Sequence, residues 1–83
     1  MPQFFFDIQD GHGPTRDDVG LQMPDGDVAR HEAVTALLGI ARDSVGRDRS
    51  SVAVAVRDEG GAVVLTASLS LIIVSGPSTK GRT

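Results

Sequence analysis

The residues with the most reactive side chains in this sequence cluster near its start. Carboxylates and imidazoles bind divalent metals, but this spacing lacks the middle ligand of a D-x-[DN]-x-[DN]-G calcium loop. Asp and Gly are also common turn formers. We therefore interpret the cluster as a solvated hairpin loop and predict no metal site. Its members are Asp7, Asp10, His12, Asp17 and Asp18.

The sequence does not predict a catalytic site. His12 lies between Gly11 and Gly13, without the nucleophile and orienting partner that a general base needs. The serines and threonines lie in no G-x-S-x-G turn. The glycine-rich segments begin no helix and lack the G-K-[ST] of a phosphate loop. We therefore expect no enzyme, no catalytic residues and no cofactor.

Length, charge and cysteine content narrow the class of protein. The chain has 83 residues, which is room for one domain. Its net charge of −3 disfavours binding to nucleic-acid backbones. The absence of cysteine from so small a domain favours a reducing cytoplasm. The longest apolar run, 71–74, is too short for a membrane span, and the start does not look like a signal peptide. We expect a cytoplasmic protein that binds neither nucleic acid nor membrane.

The first half of the sequence predicts two strands and a helix. Apolar residues alternate through 3–9, which indicates a strand with Phe on both faces. After a turn at 10–14, a shorter strand is predicted over 19–23. Asp25 or Asp27 then caps a helix over about 27–44, with Leu37 central on its apolar stripe.

The second half predicts a loop over 47–50, a strand over 52–56, a turn at 58–61 and a last strand over 62–74. The last strand becomes apolar on both faces, so we predict it at the centre of the sheet. The order ββαββ predicts an α+β fold, with a four-stranded, mainly antiparallel sheet and one helix on one face. The domain is predicted over 1–74, followed by a flexible tail over 75–83.

Several motifs occur in an order that resembles a family of short bacterial proteins of unknown function. That family opens with MP-x-[FY]-[FY]-F, carries D-x-x-G-x-x-[LM]-P-D before an Ala-rich helix, and ends in a hairpin with a D-x-x-G turn. Residues 1–6, 17–25 and 58–61 match these motifs, whereas Gly26 and the Gly-Pro tail depart from them. The resemblance covers residues 1 to about 74. It implies a stand-alone bacterial intracellular protein and transfers no catalytic residue.

Apolar residues on both faces of the predicted strands suggest a surface that binds protein. One helix covers one face of the sheet, so Phe5, Ile72 and Val74 need another cover and are possible interface residues. We expect a homodimer, formed by edge pairing or by face-to-face packing, or a complex with another protein. The favoured function is a small, non-enzymatic interaction module that self-associates. Alternatives are a regulatory or antitoxin-like partner with an acidic surface, and a small metal-dependent enzyme built on Asp7, Asp10 and His12.

Overall fold

One helix and five strands make up the domain in the computed structural model, which describes residues 1–11, 13–43 and 49–77. The elements are β1 (Gln3–Asp10), β2 (Gly13–Thr15), β3 (Leu21–Gln22), α1 (Gly26–Arg42), β4 (Arg49–Arg57) and β5 (Val63–Ile72). All strand pairs are antiparallel, in the order β2-β1-β4-β5, and β3 also pairs with β1. The predicted α+β class, with one helix and an antiparallel sheet, is confirmed, although the sheet has five strands rather than four. Within the described ranges, no helix has the length and apolarity needed to cross a membrane.

Helix α1 begins and packs where the sequence predicts. Asp25 is its N-cap, and its Oδ1 accepts a hydrogen bond of 3.0 Å from the Val28 amide. Small and aliphatic side chains on one stripe are buried against the sheet, namely Ala29, Ala33 and Leu37. Because two of these three residues are alanines, the helix can approach the strands closely, and the core between helix and sheet is thin.

Alternation along the strands gives the sheet two different faces. The register aligns Phe6 with Val56 and Leu65, so these side chains share the face that carries α1. The same register aligns Asp7 with Ala55 and Thr66 on the opposite, outer face, which no helix covers in the described part of the chain. The core consists of Phe4, Met23, Ala29, Ala33, Leu37, Val52, Val54 and Val56.

The hairpin between β4 and β5 turns at the predicted residues. The Asp58 amide donates to the Ala62 carbonyl, and the Asp58 side chain accepts from the Gly60 and Ala62 amides. Gly61 has φ of +90°, a conformation that favours glycine. Strand β4 begins earlier than predicted because residues 49–50 pair with β5 instead of forming a loop. The other two residues of that predicted loop, 47–48, lie outside the described ranges.

Two further predictions about the sheet need correction. The second strand predicted over 19–23 is shorter and forms β3, while an unpredicted strand, β2, lies partly within the turn predicted at 10–14; an irregular segment over 16–20 separates β2 from β3. Strand β5 lies at an edge of the sheet and not at its centre, since β4 is its one neighbour in the sheet of described residues. The apolar pattern of β5 is typical of an interior strand, yet among the described residues one edge of this strand has no neighbouring strand.

Candidate functional site

A network of polar contacts joins the two central strands, β1 and β4, to segment 16–20. Arg57 Nε and Nη2 donate to the two carboxylate oxygens of Asp7 at 2.6 and 3.0 Å, which is a bidentate ion pair. Arg57 Nη2 also donates to the Asp17 carbonyl at 2.9 Å. The guanidinium lies 5.0 Å from the centre of the Phe5 ring, within the range of a cation–π contact.

The Asp17 carboxylate accepts backbone hydrogen bonds in the gap between β2 and β3. Its Oδ2 accepts from the Phe6 amide at 3.0 Å, while Oδ1 accepts from the Val19 and Gly20 amides at 2.9 and 3.0 Å. The Asp17 amide in turn donates to Asp7 Oδ1 at 2.9 Å. The carboxylate therefore satisfies a β1 backbone donor that a continuous neighbouring strand would otherwise accept from.

Gly20 completes this segment because a side chain would not fit there. Its φ is +78°, and a Cβ atom would lie 2.8 Å from the Phe5 ring and 3.0 Å from the Phe4 carbonyl oxygen. Gln3 Nε2 donates to the Val19 carbonyl at 2.7 Å and holds the same segment against β1. The D-x-x-G spacing of residues 17–20 thus has a structural explanation: an acceptor for backbone amides, followed by a glycine under an aromatic ring.

The charges of this network stabilise one another. The hydrogen bonds from Arg57 hold the pKa of Asp7 below its ordinary value of 3.8, despite partial burial. Burial raises the pKa of Asp17, but the amides of Phe6, Gly20 and Val19 outweigh it, so this pKa also lies below 3.8. The same carboxylates raise the pKa of Arg57. Both acids are therefore ionised and already bonded within the fold, which leaves them poorly placed to transfer protons.

The reactive cluster of the sequence does not come together as a metal site in the part that the structure describes. Asp7 and Asp17 bond to Arg57 and to backbone amides, while Asp18 forms an exposed pair with Arg16 at 3.6 Å. No group of three His, Asp or Glu side chains within the described ranges is arranged to hold a metal ion. His12 lies outside those ranges.

An open groove of about 530 Å³ runs between α1 and segment 16–20. Its floor is apolar and includes Phe6 and Ile8, and its rim includes Arg16, Asp18 and Glu32. Arg16 and Asp18 form a highly exposed ion pair, which contributes little energy. The groove offers apolar contact, but no converging set of polar groups that would select one class of ligand.

A second feature, which we call the β5 surface, combines an open strand edge with exposed aliphatic side chains. It comprises the free edge of β5, the two residues that follow the strand, and two residues of α1. The two helix residues are Leu38 and Val34, which lie one turn and two turns before Ala41 on the same side of α1. Ala41 lines a small groove together with Leu69 and Leu71. The exposed aliphatic members are Val34, Leu38, Val63, Val64, Leu69, Leu71, Ile72, Ile73 and Val74.

The structure separates the three residues that the sequence predicts as an interface. Ile72 and Val74 are 59% and 84% exposed and lie on the β5 surface. Phe5 is half-buried beside Gly20 and Arg57, and it pairs with Arg57 at the opposite end of β4 from Ile72. Eight positions of β4 separate the two ends, which is about 26 Å at ~3.3 Å per residue. Phe5 therefore lies at the other end of the sheet from Ile72 and Val74.

Sequence reasoning missed two features of these sites. The role of Asp17 depends on contacts with Phe6 and Asp7, at least ten residues away, and its one local signal is the glycine three positions later. The exposure of β5 depends on the strand order, which the alternation of residues does not encode. The hairpin turn, in contrast, carried its own signal and was predicted.

Comparison with known proteins supports the resemblance at the level of the family. No curated protein and no solved structure matches the chain. A family model described as a domain of unknown function (DUF6894) matches residues 3–70. The match runs from the first residue of β1 to near the end of β5 and includes Asp7, Asp17 and Arg57. Since the match covers most of the sequence, the chain belongs to the DUF6894 family.

Proposed function

We propose that this domain is a non-enzymatic interaction module that self-associates through the β5 surface. The observation that carries the proposal is the concentration of exposed aliphatic side chains along one open strand edge, from Val63 to Val74. A contiguous apolar patch of several hundred Å² is uncommon on a monomer and typically marks a binding surface.

The size of the β5 surface fits a dimer interface. A fully exposed aliphatic side chain presents roughly 100 Å², given about 1.5–3 kcal/mol of burial free energy at ~25 cal/mol/Å². Scaled by their exposed fractions, the side chains of the β5 surface present about 480 Å² of apolar area per copy. A standard interface buries about 800 Å² per partner, of which somewhat more than half is apolar. The available area is therefore of the right size.

The two edges of the sheet differ in how they are protected. Soluble proteins protect strand edges with charges, prolines, bulges or very short strands. Residues 62–77, which contain β5, carry no charged side chain, and the strand itself has no proline. On the other side, β2 and β3 are three and two residues long, and the charged segment 16–20 separates them. One open edge favours a closed dimer over an extended fibre.

The polar residues support the non-enzymatic part of the proposal. Asp7, Asp17 and Arg57 bond to one another and to the backbone, so their charges serve the fold. These bonds also weaken the alternative of an acidic partner protein, because Asp7, Asp17 and the helix cap Asp25 account for three of the six acids in the first third of the chain. Phe5 lies outside the proposed surface, since Gly20 and Arg57 lie against its ring.

Analytical ultracentrifugation of the full chain from 1 to 100 μM tests self-association. We expect a mass that rises with concentration from 8.7 kDa towards twice that value. Ile72→Lys places a charge at the edge, where the side chain is already exposed, so the monomer should stay folded. Because a two-fold interface carries the substitution twice, we expect the dimer to weaken at least tenfold, about 1.4 kcal/mol or more.

Val19→Lys is the matched control. Val19 is a similarly exposed aliphatic residue, at 79%, but it lies in segment 16–20 beyond the opposite edge of the sheet. The Val19→Lys variant should leave the dissociation constant of the dimer unchanged. A wild-type mass of 8.7 kDa at every concentration contradicts self-association. Equal weakening by both lysine variants contradicts the assignment to the β5 surface.

A further inference from the structure

We propose that the partner is a second copy whose β5 pairs antiparallel with this β5, so that Ser68 faces Ser68 of the other copy and the two sheets become one. This inference rests on the proposed self-association and adds the binding mode and the register. It follows from the sequence of β5 combined with the position of this strand at the edge of the sheet.

Residues 64–72 have a palindromic pattern of apolar and polar side chains centred on Ser68. Val64 and Ile72 occupy its two ends, and Leu65 matches Leu71. If two copies of β5 run antiparallel about a two-fold axis at Ser68, apolar side chains therefore lie opposite apolar ones and polar side chains lie opposite polar ones. The opposed pairs would be Val64 with Ile72, Leu65 with Leu71, Thr66 with Ser70, Ala67 with Leu69, and Ser68 with itself.

The register also respects the two faces of the sheet. Leu65 and Leu71 point to the helix face, because the register within the chain aligns them with Val56 and Ser50 of β4. The even-numbered residues Thr66 and Ser68 point to the outer face with Ala55 and Ala53. In antiparallel strands, directly opposed side chains lie on the same face, and every pair in the proposed register meets this condition.

Neighbouring registers place unlike side chains together. With the centre at Ala67 or Thr66, Val64 would lie opposite Ser70 or Ser68. With the centre at Leu69 or Ser70, Ile72 would lie opposite Thr66 or Ser68. Each of these shifts places a hydroxyl beside an aliphatic side chain, and the shifts to Thr66, Leu69 and Ser70 also shorten the overlap within β5. A bulge near Val56 and Arg57 marks the other end of the regular pairing, just before Val64.

Disulfide trapping tests this register directly, because the chain contains no cysteine of its own. Ser68→Cys would face its own copy, with Cα atoms about 4.5–5.5 Å apart, inside the ~4.4–6.8 Å range of disulfides. In Thr66→Cys or Ser70→Cys alone, the two cysteines would be four positions apart along the strands, about 13 Å at ~3.3 Å per residue. All three side chains are exposed, so none of the variants should disturb the monomer.

We expect most of the Ser68→Cys chain to become a covalent dimer under mild oxidation at a protein concentration where the wild type is dimeric. Thr66→Cys and Ser70→Cys should each stay non-covalent alone but cross-link when mixed, through the heterodimer. Val19→Cys, at an exposed site remote from β5, measures collisional cross-linking.

The outcomes separate this inference from the function on which it rests. A wild type that is dimeric in the ultracentrifuge, with Ser68→Cys no more cross-linked than Val19→Cys, overturns the strand pairing but leaves self-association standing. Efficient cross-linking of Thr66→Cys or Ser70→Cys alone overturns the register. A monomeric wild type overturns the proposed function and the pairing together.

Discussion

Replacing Asp17 with alanine should remove about 3 kcal/mol from the free energy of unfolding. Three backbone amides lose their acceptor, those of Phe6, Val19 and Gly20. A hydrogen bond to a charged group contributes about 1.5–3 kcal/mol. Water can replace the carboxylate at the outer end of the segment, near Val19, but less readily at the half-buried Phe6. We therefore include the full free energy of the hydrogen bond from Phe6 and only part of that of the bonds from Val19 and Gly20.

Urea denaturation followed by far-UV circular dichroism measures this loss, since the chain has neither Trp nor Tyr for fluorescence. Protein concentration must be equal for all variants, because the proposed self-association would add stability that depends on concentration. In thermal melts, 1 kcal/mol corresponds to about 4–8 °C for a domain of this size. The expected decrease in Tm is therefore about 12–24 °C. Small domains have total stabilities near ~5 kcal/mol, so the variant should be close to unfolding.

Asp18→Ala is the control, because it removes a neighbouring carboxylate that is 83% exposed and forms a surface pair with Arg16. It should change stability by no more than about 0.5 kcal/mol. Asp17→Asn keeps one oxygen that can accept from Val19 and Gly20, so it should fall between Asp17→Ala and the wild type. If Asp17→Ala and Asp18→Ala unfold at the same urea concentration, Asp17 does not hold the two halves of the sheet edge together.

Two other predictions concern stability. Leu37→Ala should lower the free energy of unfolding by about 2–5 kcal/mol, because Leu37 is buried in the core. Val28→Ala, at a helix position that is 41% exposed and outside the β5 surface, should lower it far less, and equal urea midpoints for the two variants would contradict the packing. Tm should also fall as the pH drops through the lowered pKa values of Asp7 and Asp17, because below 3.8 the unfolded chain binds more protons than the folded one. Thermal melts between pH 2 and pH 6 should show full stability above the ordinary carboxyl pKa. If Tm falls with pH as steeply for Asp7→Asn as for the wild type, Asp7 does not contribute to this pH dependence.

The elements that the sequence predicts well are those whose signals are local. Strand β1 follows from the period-two spacing of Phe4, Phe6 and Ile8, and α1 from the Asp25 cap and the spacing around Leu37. The hairpin follows from residues 58–61, where an aspartate accepts from nearby amides and a glycine takes positive φ. Each signal lies within a few residues of the structure that it specifies, so neither tertiary contacts nor strand order were needed.

The polar network could not be predicted because its partners are distant in sequence. Arg57 bonds to Asp7 across fifty residues, and nothing near Arg57 distinguishes it from an ordinary charge at the end of a strand. Asp17 belongs to an acidic run that reads as a solvated loop. Segment 16–20 separates β2 from β3, and the Asp17 side chain accepts the hydrogen bond that a backbone carbonyl would accept in a continuous strand. A side chain that accepts in place of a backbone carbonyl produces no periodic pattern in the sequence.

The wrong prediction that β5 lies at the centre of the sheet is the one most informative about function. A strand that is apolar on both faces and free of charge is expected between two other strands, because only there are both its edges paired and much of its surface covered. In the part of the single chain that the structure describes, β4 is the one neighbour, and the other edge has no paired strand beside Leu71 and Ile72. A second copy in the Ser68 register would supply the missing neighbour and would make β5 the interior strand that its sequence predicts. The prediction of a central strand is therefore wrong for the monomer, and the same residue pattern becomes consistent with the structure if the folded unit is the dimer.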